Sequence, residues 1–211
     1  RSPWFSVSCC PTNVARLISS LGAYLATSSS EGLQIHQFAR GEFTANTPAG
    51  EVRVAVETDY PVSGEITIRI LEGTEEEWEI STRVPSWADN VEATFRGVTH
   101  RPTAGGYLTI RERFEVGEEI QLSIPLAPRV THPHPRIDHV RGSIAIERGP
   151  LVYCVESVDL PDAGHLEDLR VGFDVTPVDS PESAIEGIPA VVVDARRAEV
   201  APSSWPYKQT Q

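Results

Sequence analysis

The sequence predicts a mainly β protein that begins with one α-helix and continues as antiparallel β-sandwich structure. Apolar residues recur at helical spacing only near the start of the chain, over about residues 11 to 27. From residue 33 onward they alternate with polar residues, which is the period of half-buried strands. Turns rich in glycine, proline and aspartate separate these short segments, as is typical of a sandwich.

Two neighbouring cysteines lie at the N-terminal end of the predicted helix. Because proline is tolerated in the first helical turn, Pro11 places Cys10 near the N-cap and Cys9 just before it. Unpaired backbone N–H groups and the positive end of the helix dipole favour thiolates, the form that attacks carbon and binds metal. Two other interpretations stay open: a pair of buried apolar residues, or a strained disulfide between the neighbours.

The β-rich part of the chain is predicted in two stretches joined by a proline-rich segment. The first stretch has predicted strands at residues 33–38, 52–57, 66–70, 78–84, 91–95, 108–110 and 120–126. Residues 125–135 predict an extended connection, since repeated proline blocks the hydrogen bonds of a sheet. His132 and His134 within it are interpreted as surface histidines, with metal binding as the alternative.

The second stretch contains the third cysteine. Two strands joined at Gly149-Pro150 are predicted within residues 142–156, and we expect Cys154 in the core of the second one. Loops with weak strands are expected over residues 160–189, followed by a buried strand at 190–193.

Charge and cysteine content exclude several classes of protein. Eighteen basic against thirty acidic residues give a net charge of −12, so we expect neither nucleic acid nor a membrane as a partner. Three cysteines do not form the framework of a disulfide-rich secreted domain, and we expect reduced thiols and a cytoplasmic location. A lone helix beside a β-rich chain without methionine indicates the C-terminal part of a longer protein.

Several motifs carry a resemblance to a known family. They are Trp4-Phe5, Cys9-Cys10-Pro11-Thr12-Asn13-Val14-Ala15-Arg16, Arg83-Val84-Pro85-Ser86-Trp87-Ala88, Gly106-Tyr107-Leu108-Thr109-Ile110 and Arg148-Gly149-Pro150-Leu151-Val152-Tyr153. In this order and spacing they resemble glycoside hydrolase family 127, the family of β-L-arabinofuranosidases. The double cysteine before Pro11 is the most specific of these motifs.

The resemblance implies an (α/α)6 helical barrel that carries the active site and is followed by two antiparallel β-sandwich domains. In this chain, residues 1–30 would be the last part of the catalytic helical barrel, residues 31–130 the first sandwich and residues 131–211 the second. A homodimer through the β-sandwich part is the assembly we consider.

The resemblance also implies a retaining glycosidase that acts on L-arabinofuranosyl-containing oligosaccharides or glycans. Cys9 would be both the nucleophile and a zinc ligand, and Cys10 would be a second zinc ligand. A further Cys and a Glu would complete the zinc site from outside this chain, and another outside Glu would be the acid/base. This polypeptide alone is therefore expected to be inactive and to bind zinc weakly.

Two functions from other classes compete with this one. A non-catalytic carbohydrate-binding or scaffold module could stack sugars on Trp78, Trp87, Tyr107 or Trp205, although aromatic residues of a sandwich are more often buried. A purely structural zinc site or a redox site at Cys9 and Cys10 is the other alternative. The cysteine pair distinguishes these functions, because a binding module does not need it.

Overall fold

The computed structural model describes residues 9–160, 165–185 and 187–198. These residues form one α-helix followed by short strands and a few 3-10 turns, so the expectation of a mainly β chain with an N-terminal helix is confirmed. The chain divides into two compact units, residues 1–126 and residues 127–211. The sequence predicts a division at residues 130/131, whereas Pro128–Thr131 pairs with Ala145–Arg148 of the second unit.

Helix α1 spans Cys9–Ser20 and continues as a 3-10 turn at Leu21–Tyr24. The helix ends before the predicted residue 27 because Ala26–Ser28 pairs as a strand with the segment that follows it. Both cysteines lie within the helix rather than at and before its N-cap. Although α1 is amphipathic, none of its residues is buried in the described structure.

Residues 9–126 of the first unit form ten strands in two sheets. They are β1 (Ala26–Ser28), β2 (Gly32–Ile35), β3 (Gly41–Thr47), β4 (Gly50–Thr58), β5 (Glu65–Glu72), β6 (Trp78–Arg83), β7 (Glu92–Phe95), β8 (Val98–His100), β9 (Tyr107–Glu112) and β10 (Glu119–Ser123). The four-stranded sheet has the order β1-β2-β6-β9, and the six-stranded sheet has the order β3-β4-β5-β10-β7-β8.

One pair of strands departs from the predicted antiparallel arrangement. Strands β2 and β6 are parallel, because the chain leaves the small sheet after β2, forms three strands of the large sheet, and then returns. Gly32 lies opposite Glu79 in this pair with a φ of 155°. A Cβ at residue 32 would lie 2.0 Å from the carbonyl oxygen of Glu79, so only glycine fits.

The apolar residues of both sheets meet in one shared core. Alternate residues of β5 face inward, and Ile66, Ile68 and Ile70 are at most 1% exposed. The small sheet contributes Trp78, whose ring packs edge-on against Phe114 with centroids 4.8 Å apart. This arrangement is the first sandwich that the alternating pattern predicts.

Ion pairs cover the outer face of the six-stranded sheet. Arg53 pairs with Glu42 and Glu72, and Arg69 pairs with Glu57 and Glu119. These side chains are exposed or half-buried, so each pair contributes only about 0–1 kcal/mol of stability. The face is a solvated surface.

The second unit contains seven short strands in the described residues. They are β11 (Pro128–Thr131), β12 (Ala145–Arg148), β13 (Leu151–Tyr153), β14 (Leu169–Val171), β15 (Val178–Ile185), β16 (Ile188–Val192) and β17 (Ala195–Arg197). All of their pairings are antiparallel, in sheets of three, two and two strands. The strand expected at residues 190–193 is present within β16, but it is only partly buried.

Two expectations about side chains in this unit are resolved by the structure. Cys154 is exposed, not in a core as predicted, because β13 ends at Tyr153 and the alternating pattern stops there. His132 stacks on Phe173 with ring centroids 4.4 Å apart, and the Nδ1 atom of His134 accepts a hydrogen bond from the backbone N–H of Arg136. These contacts give both histidines structural roles.

An ion pair joins two sheets of the second unit. Among the residues of this unit whose burial is described, only Arg148 and Gly149 are buried. The Arg148 Nε atom donates to Asp179 Oδ1 at 3.1 Å and thereby links β12 to β15. The Tyr153 hydroxyl donates to the carbonyl oxygen of Pro189 at 2.8 Å, and burial raises the pKa of this hydroxyl.

No helix among residues 9–160, 165–185 and 187–198 is both long enough and apolar enough to cross a bilayer.

The buried core lets us predict how much the free energy of unfolding falls when a central side chain is truncated. Ile68→Ala should lower the free energy of unfolding of the first unit by about 2–5 kcal/mol, because it removes buried methyl groups and leaves a cavity. Val116→Ala, at a residue that is 71% exposed, is the control and should change it by less than about 0.5 kcal/mol. Urea unfolding followed by tryptophan fluorescence, to which the buried Trp78 contributes, measures both free energies, and equal effects would contradict the assigned core.

The Arg148–Asp179 pair predicts a stability effect in the second unit. Asp179→Ala leaves a buried guanidinium without its carboxylate and should cost about 1–3 kcal/mol of unfolding free energy. The matched control is Asp138→Ala, which breaks a solvent-exposed pair with Arg141 and should cost less than about 1 kcal/mol. Hydrogen exchange of β12 and β15 reports the difference, and unchanged exchange in Asp179→Ala would refute the linking role.

Candidate active site: the cysteine pair

The two cysteines predicted from the sequence lie side by side in the first turn of α1. Their sulfur atoms are 3.8 Å apart and both residues are exposed. A disulfide bond would require about 2.05 Å, so the pair consists of free thiols, and the interpretation as buried apolar residues is also wrong for the described structure. Two accessible sulfurs are therefore available to a metal or to a substrate.

The spacing of the sulfurs fits two corners of a tetrahedral zinc site. Two sulfur ligands at about 2.3 Å from zinc lie about 3.8 Å apart when the angle at the metal is tetrahedral. The same distance is also an ordinary contact between two thiols, so it permits such a site without requiring it. No cluster of three or more His, Cys, Asp and Glu residues suited to a metal occurs in the described part of the chain. Cys9 and Cys10 would thus supply half of the ligands.

The two cysteines lie on different faces of α1. Residues four, seven and eleven positions apart share one face of a helix. Cys10 lies in line with the apolar residues Val14, Leu17 and Leu21. Cys9 instead lies in line with the polar residues Asn13, Arg16 and Ser20. A partner that covers the apolar face would bury Cys10 and leave Cys9 at the edge of a polar surface.

Hydrogen bonds order the polar face next to Cys9. An Arg16 Nη atom donates to the side-chain oxygen of Asn13 at 3.3 Å, and the Thr12 hydroxyl donates to the carbonyl oxygen of Cys9 at 2.9 Å. Asn13 and Arg16 are not among the site residues predicted from the sequence. Their spacing of four and seven residues from Cys9 is the signal that could have identified them.

The aromatic residues considered for sugar stacking lie in different environments. Trp78 is sealed in the core at 1% exposure, and Trp87 is partly buried against that core. Tyr107 is about half exposed and its hydroxyl lies 2.7 Å from Nδ1 of His36. Trp205 lies outside the described residues.

A cavity of about 930 Å³ lies within the second unit. Tyr153, Cys154, Leu160 and Val171 are among its lining residues, and most of the lining is apolar. Cys154 is the one thiol among its lining residues, and no group of three or more His, Cys, Asp and Glu residues suited to a metal occurs there in the described part of the chain. The cysteine pair of α1 is therefore the candidate active site in the described residues.

Comparison with family models places most of the chain in one family. Residues 32–126 match the model of the β-L-arabinofuranosidase, GH127 middle domain. Residues 128–207 match the model of the glycoside hydrolase family 127 C-terminal domain. The two matches meet at the division between the two structural units.

Individual relatives agree with the family models. The non-reducing end β-L-arabinofuranosidase of Bifidobacterium longum subsp. longum is 30% identical over 194 residues, which are 85% of this chain and 28% of that protein. The crystal structure of a GH127 β-L-arabinofuranosidase from Geobacillus stearothermophilus T6 matches all of this chain and 33% of its own, with a TM-score of 0.80 and 29% identity.

A further solved structure shows likeness in fold. It is described as a glycoside hydrolase, has a TM-score of 0.83 at 24% identity, and is matched over 100% of this chain and 35% of its own length. This chain thus spans about a third of the length of the relatives that it matches. With two adjoining family models over residues 32–126 and 128–207, the chain belongs to glycoside hydrolase family 127.

Proposed function

We propose that this chain is the C-terminal part of a retaining glycoside hydrolase, a β-L-arabinofuranosidase, in which Cys9 is the nucleophile and Cys9 and Cys10 bind zinc. The observation that carries the proposal is the pair of exposed free thiols, 3.8 Å apart, in the first turn of α1. Membership of family 127 and the activity for which two relatives are named support the reaction class.

Retention of configuration requires two displacements at the anomeric carbon. In the first, the Cys9 sulfur bonds to that carbon as the glycosidic C–O bond breaks, and an acid gives its proton to the leaving oxygen. In the second, water displaces the sulfur while the same acid residue, now a base, accepts the proton from that water. The acid/base residue is expected from outside this chain.

The positions of Cys9 and Cys10 on helix α1 suit them to these two roles. Its position on the polar face of α1, in line with Asn13 and Arg16, leaves the sulfur open to a hydrophilic substrate. Cys10 faces the apolar side and is suited to holding a ligand position without touching the sugar. Bound zinc would keep both sulfurs as thiolates at neutral pH.

The substrate class follows from the relatives rather than from a pocket in this chain. We propose an L-arabinofuranosyl-containing oligosaccharide or glycan, because two relatives are named for that sugar. A non-catalytic binding module is less well supported, since it has no use for paired thiols and Trp78 is sealed in the core. A cytoplasmic location and a homodimer through the β-sandwich part remain proposals.

The nucleophile assignment predicts unequal effects of three cysteine substitutions in the full-length protein. Cys9→Ser should lower kcat/KM by at least about a thousandfold, because an alcohol in that position is a far poorer nucleophile. Cys10→Ser should lower the zinc content measured by atomic spectroscopy. Cys154→Ser, at an exposed thiol in the second unit, is the control and should leave both quantities unchanged.

A covalent label separates a nucleophile from a purely structural zinc ligand. An L-arabinofuranosyl electrophile should add its mass to Cys9 and not to Cys10, as fragment-ion mass spectrometry of the peptide would show. Full activity in Cys9→Ser, or labelling of Cys10 alone, would contradict the assignment of Cys9 as the nucleophile.

The half-complete metal site predicts the behaviour of the 211-residue chain by itself. It should show no turnover of an aryl β-L-arabinofuranoside, and it should lose zinc to a mild chelator that the full-length protein resists, because two thiolates fill only half of a tetrahedral site. Calorimetry with zinc and a chromogenic assay measure the two properties. Turnover comparable with that of the full-length protein would refute the prediction.

A further inference from the structure

A second cavity of the second unit differs from the apolar one in its lining. Its volume is about 910 Å³, within the range of about 300–1,000 Å³ in which proteins hold small ligands. Most of the lining is polar, and it includes four charged side chains, those of Arg170, Asp174, Asp194 and Arg196. Strands β14 and β17 and the segments next to them supply these residues. The cavity is therefore built on two strands that pair directly with each other.

The four charged groups of this cavity form no ion pair among the described residues. The ion pairs of the second unit there join Arg129 to Glu147, Arg141 to Asp138 and Arg148 to Asp179. Arg170 and Arg196 lie directly opposite each other in the register of β14 and β17. Like charges in that position repel each other, so this pair does not stabilise the sheet. All four side chains are exposed, and they are available to a ligand.

The guanidinium of Arg170 is held in place by the backbone of its own segment. One of its Nη atoms donates to the carbonyl oxygen of Glu167 at 2.6 Å and to that of Leu169 at 2.7 Å. Within the described part of the chain, these bonds leave the donors of the other two nitrogens without an acceptor. A donor group that is fixed in advance loses less entropy when a ligand binds. Arg170 is thus suited to donate hydrogen bonds to a ligand in the cavity.

An exposed aromatic ring lies next to the cavity. Phe173 is placed between two lining residues, Gly172 and Asp174. A hydrogen bond of 3.3 Å from the N–H of Val175 to the carbonyl oxygen of Gly172 closes this turn. The side chain of Phe173 is 62% exposed, which is unusual for phenylalanine. The imidazole of His132 stacks on it with centroids 4.4 Å apart, so one face of the ring is supported and the high exposure leaves the other face open.

We propose that this cavity and Phe173 form a second carbohydrate-binding site, which holds an L-arabinofuranosyl unit of the glycan without reacting with it. A sugar hydroxyl both donates and accepts hydrogen bonds, so it can accept from the two guanidinium groups and donate to the carboxylates of Asp174 and Asp194. The C–H groups of a sugar ring suit the negative face of the Phe173 ring. The formal charges of two arginines and two aspartates cancel, which favours a neutral sugar over an anion.

The identity of the sugar rests on the proposed function, because two relatives are named for that sugar. Phe173 supplies the exposed ring that two tryptophans considered for sugar stacking do not, since Trp78 is sealed in the core and Trp87 is partly buried. Binding a glycan at a second point raises its overall affinity without any new contact at the site of reaction. We therefore expect this site to favour oligosaccharides over small glycosides.

Hydroxyl-radical footprinting of the full-length protein with Cys9→Ser tests the site, because an exposed phenylalanine ring reacts with the radical. The probe is a β-L-arabinofuranosyl oligosaccharide. At saturation it should lower the oxidation rate of Phe173, measured by mass spectrometry of the digest, at least about threefold, because a sugar stacked on the ring shields it. Val158 lies in the same unit, is 82% exposed and should keep its rate once radical scavenging by the sugar is corrected.

Variants of the charged groups locate the binding in the cavity. Asp174→Ala and Arg196→Ala should each raise the probe concentration that gives half protection at least about tenfold, because each removes a charge-assisted hydrogen bond. Asp138→Ala, at an exposed aspartate of the same unit, is the matched control and should leave it unchanged. Absence of protection at Phe173, or equal protection in all three variants, overturns the proposal. Hydrolysis of the oligosaccharide by the unsubstituted protein is measured separately: hydrolysis without protection rejects this site alone, and protection without hydrolysis rejects the proposed function alone.

Discussion

The structure of the first unit depends on one constraint, the burial of alternate residues from two sheets in a single core. Ile68 and Ile80 can both lie inside only if their sequence neighbours lie outside, so the core determines which residues reach solvent. The outward-facing side chains of the large sheet form solvent-exposed ion pairs. Those of the small sheet combine hydroxyl, amide and aromatic groups with the ion pairs of Arg111 to Glu31 and Glu79. Both outer faces therefore follow from the burial of the same core.

Periodicity predicted the helix and seven of the strands of the first unit, because alternation and helical spacing are local properties of the chain, but it missed β1, β3 and β8. It could not predict the parallel pairing of β2 with β6, which depends on how the chain returns from the large sheet. Periodicity also wrongly predicted that Cys154 is buried in a core, because the apolar run of the sequence continues past Tyr153, where β13 ends. In the second unit, the strands predicted on either side of Gly149-Pro150 and at residues 190–193 are present, whereas β11 lies in the predicted connection and β17 was not predicted. Among the residues of this unit whose burial is described, only Arg148 and Gly149 are buried, so the pattern alone overstated burial.

The candidate site was predictable in part for a similar reason. Two cysteines before a proline identify the sulfurs, and their placement in one helical turn follows from adjacency alone. Their different faces follow from the helical period, which aligns Cys9 with Asn13 and Cys10 with Val14. The further zinc ligands that the proposed function requires form no cluster of three or more His, Cys, Asp and Glu residues in the described part of the chain, so local sequence could not reveal them.

The position of Cys9 cannot be maintained by contacts within the described residues. Helix α1 has twelve residues and none of them is buried, and an isolated helix of that length is marginal in water. Most helical stability comes from packing an apolar face, and here Val14, Leu17 and Ile18 are all more than half exposed. Under the proposed function, a nucleophile at Cys9 would have to be held within a fraction of an ångström to attack efficiently. A partner that covered the apolar face would then also set the position of the sulfur, so assembly of the helix against it and formation of the proposed site would be the same event.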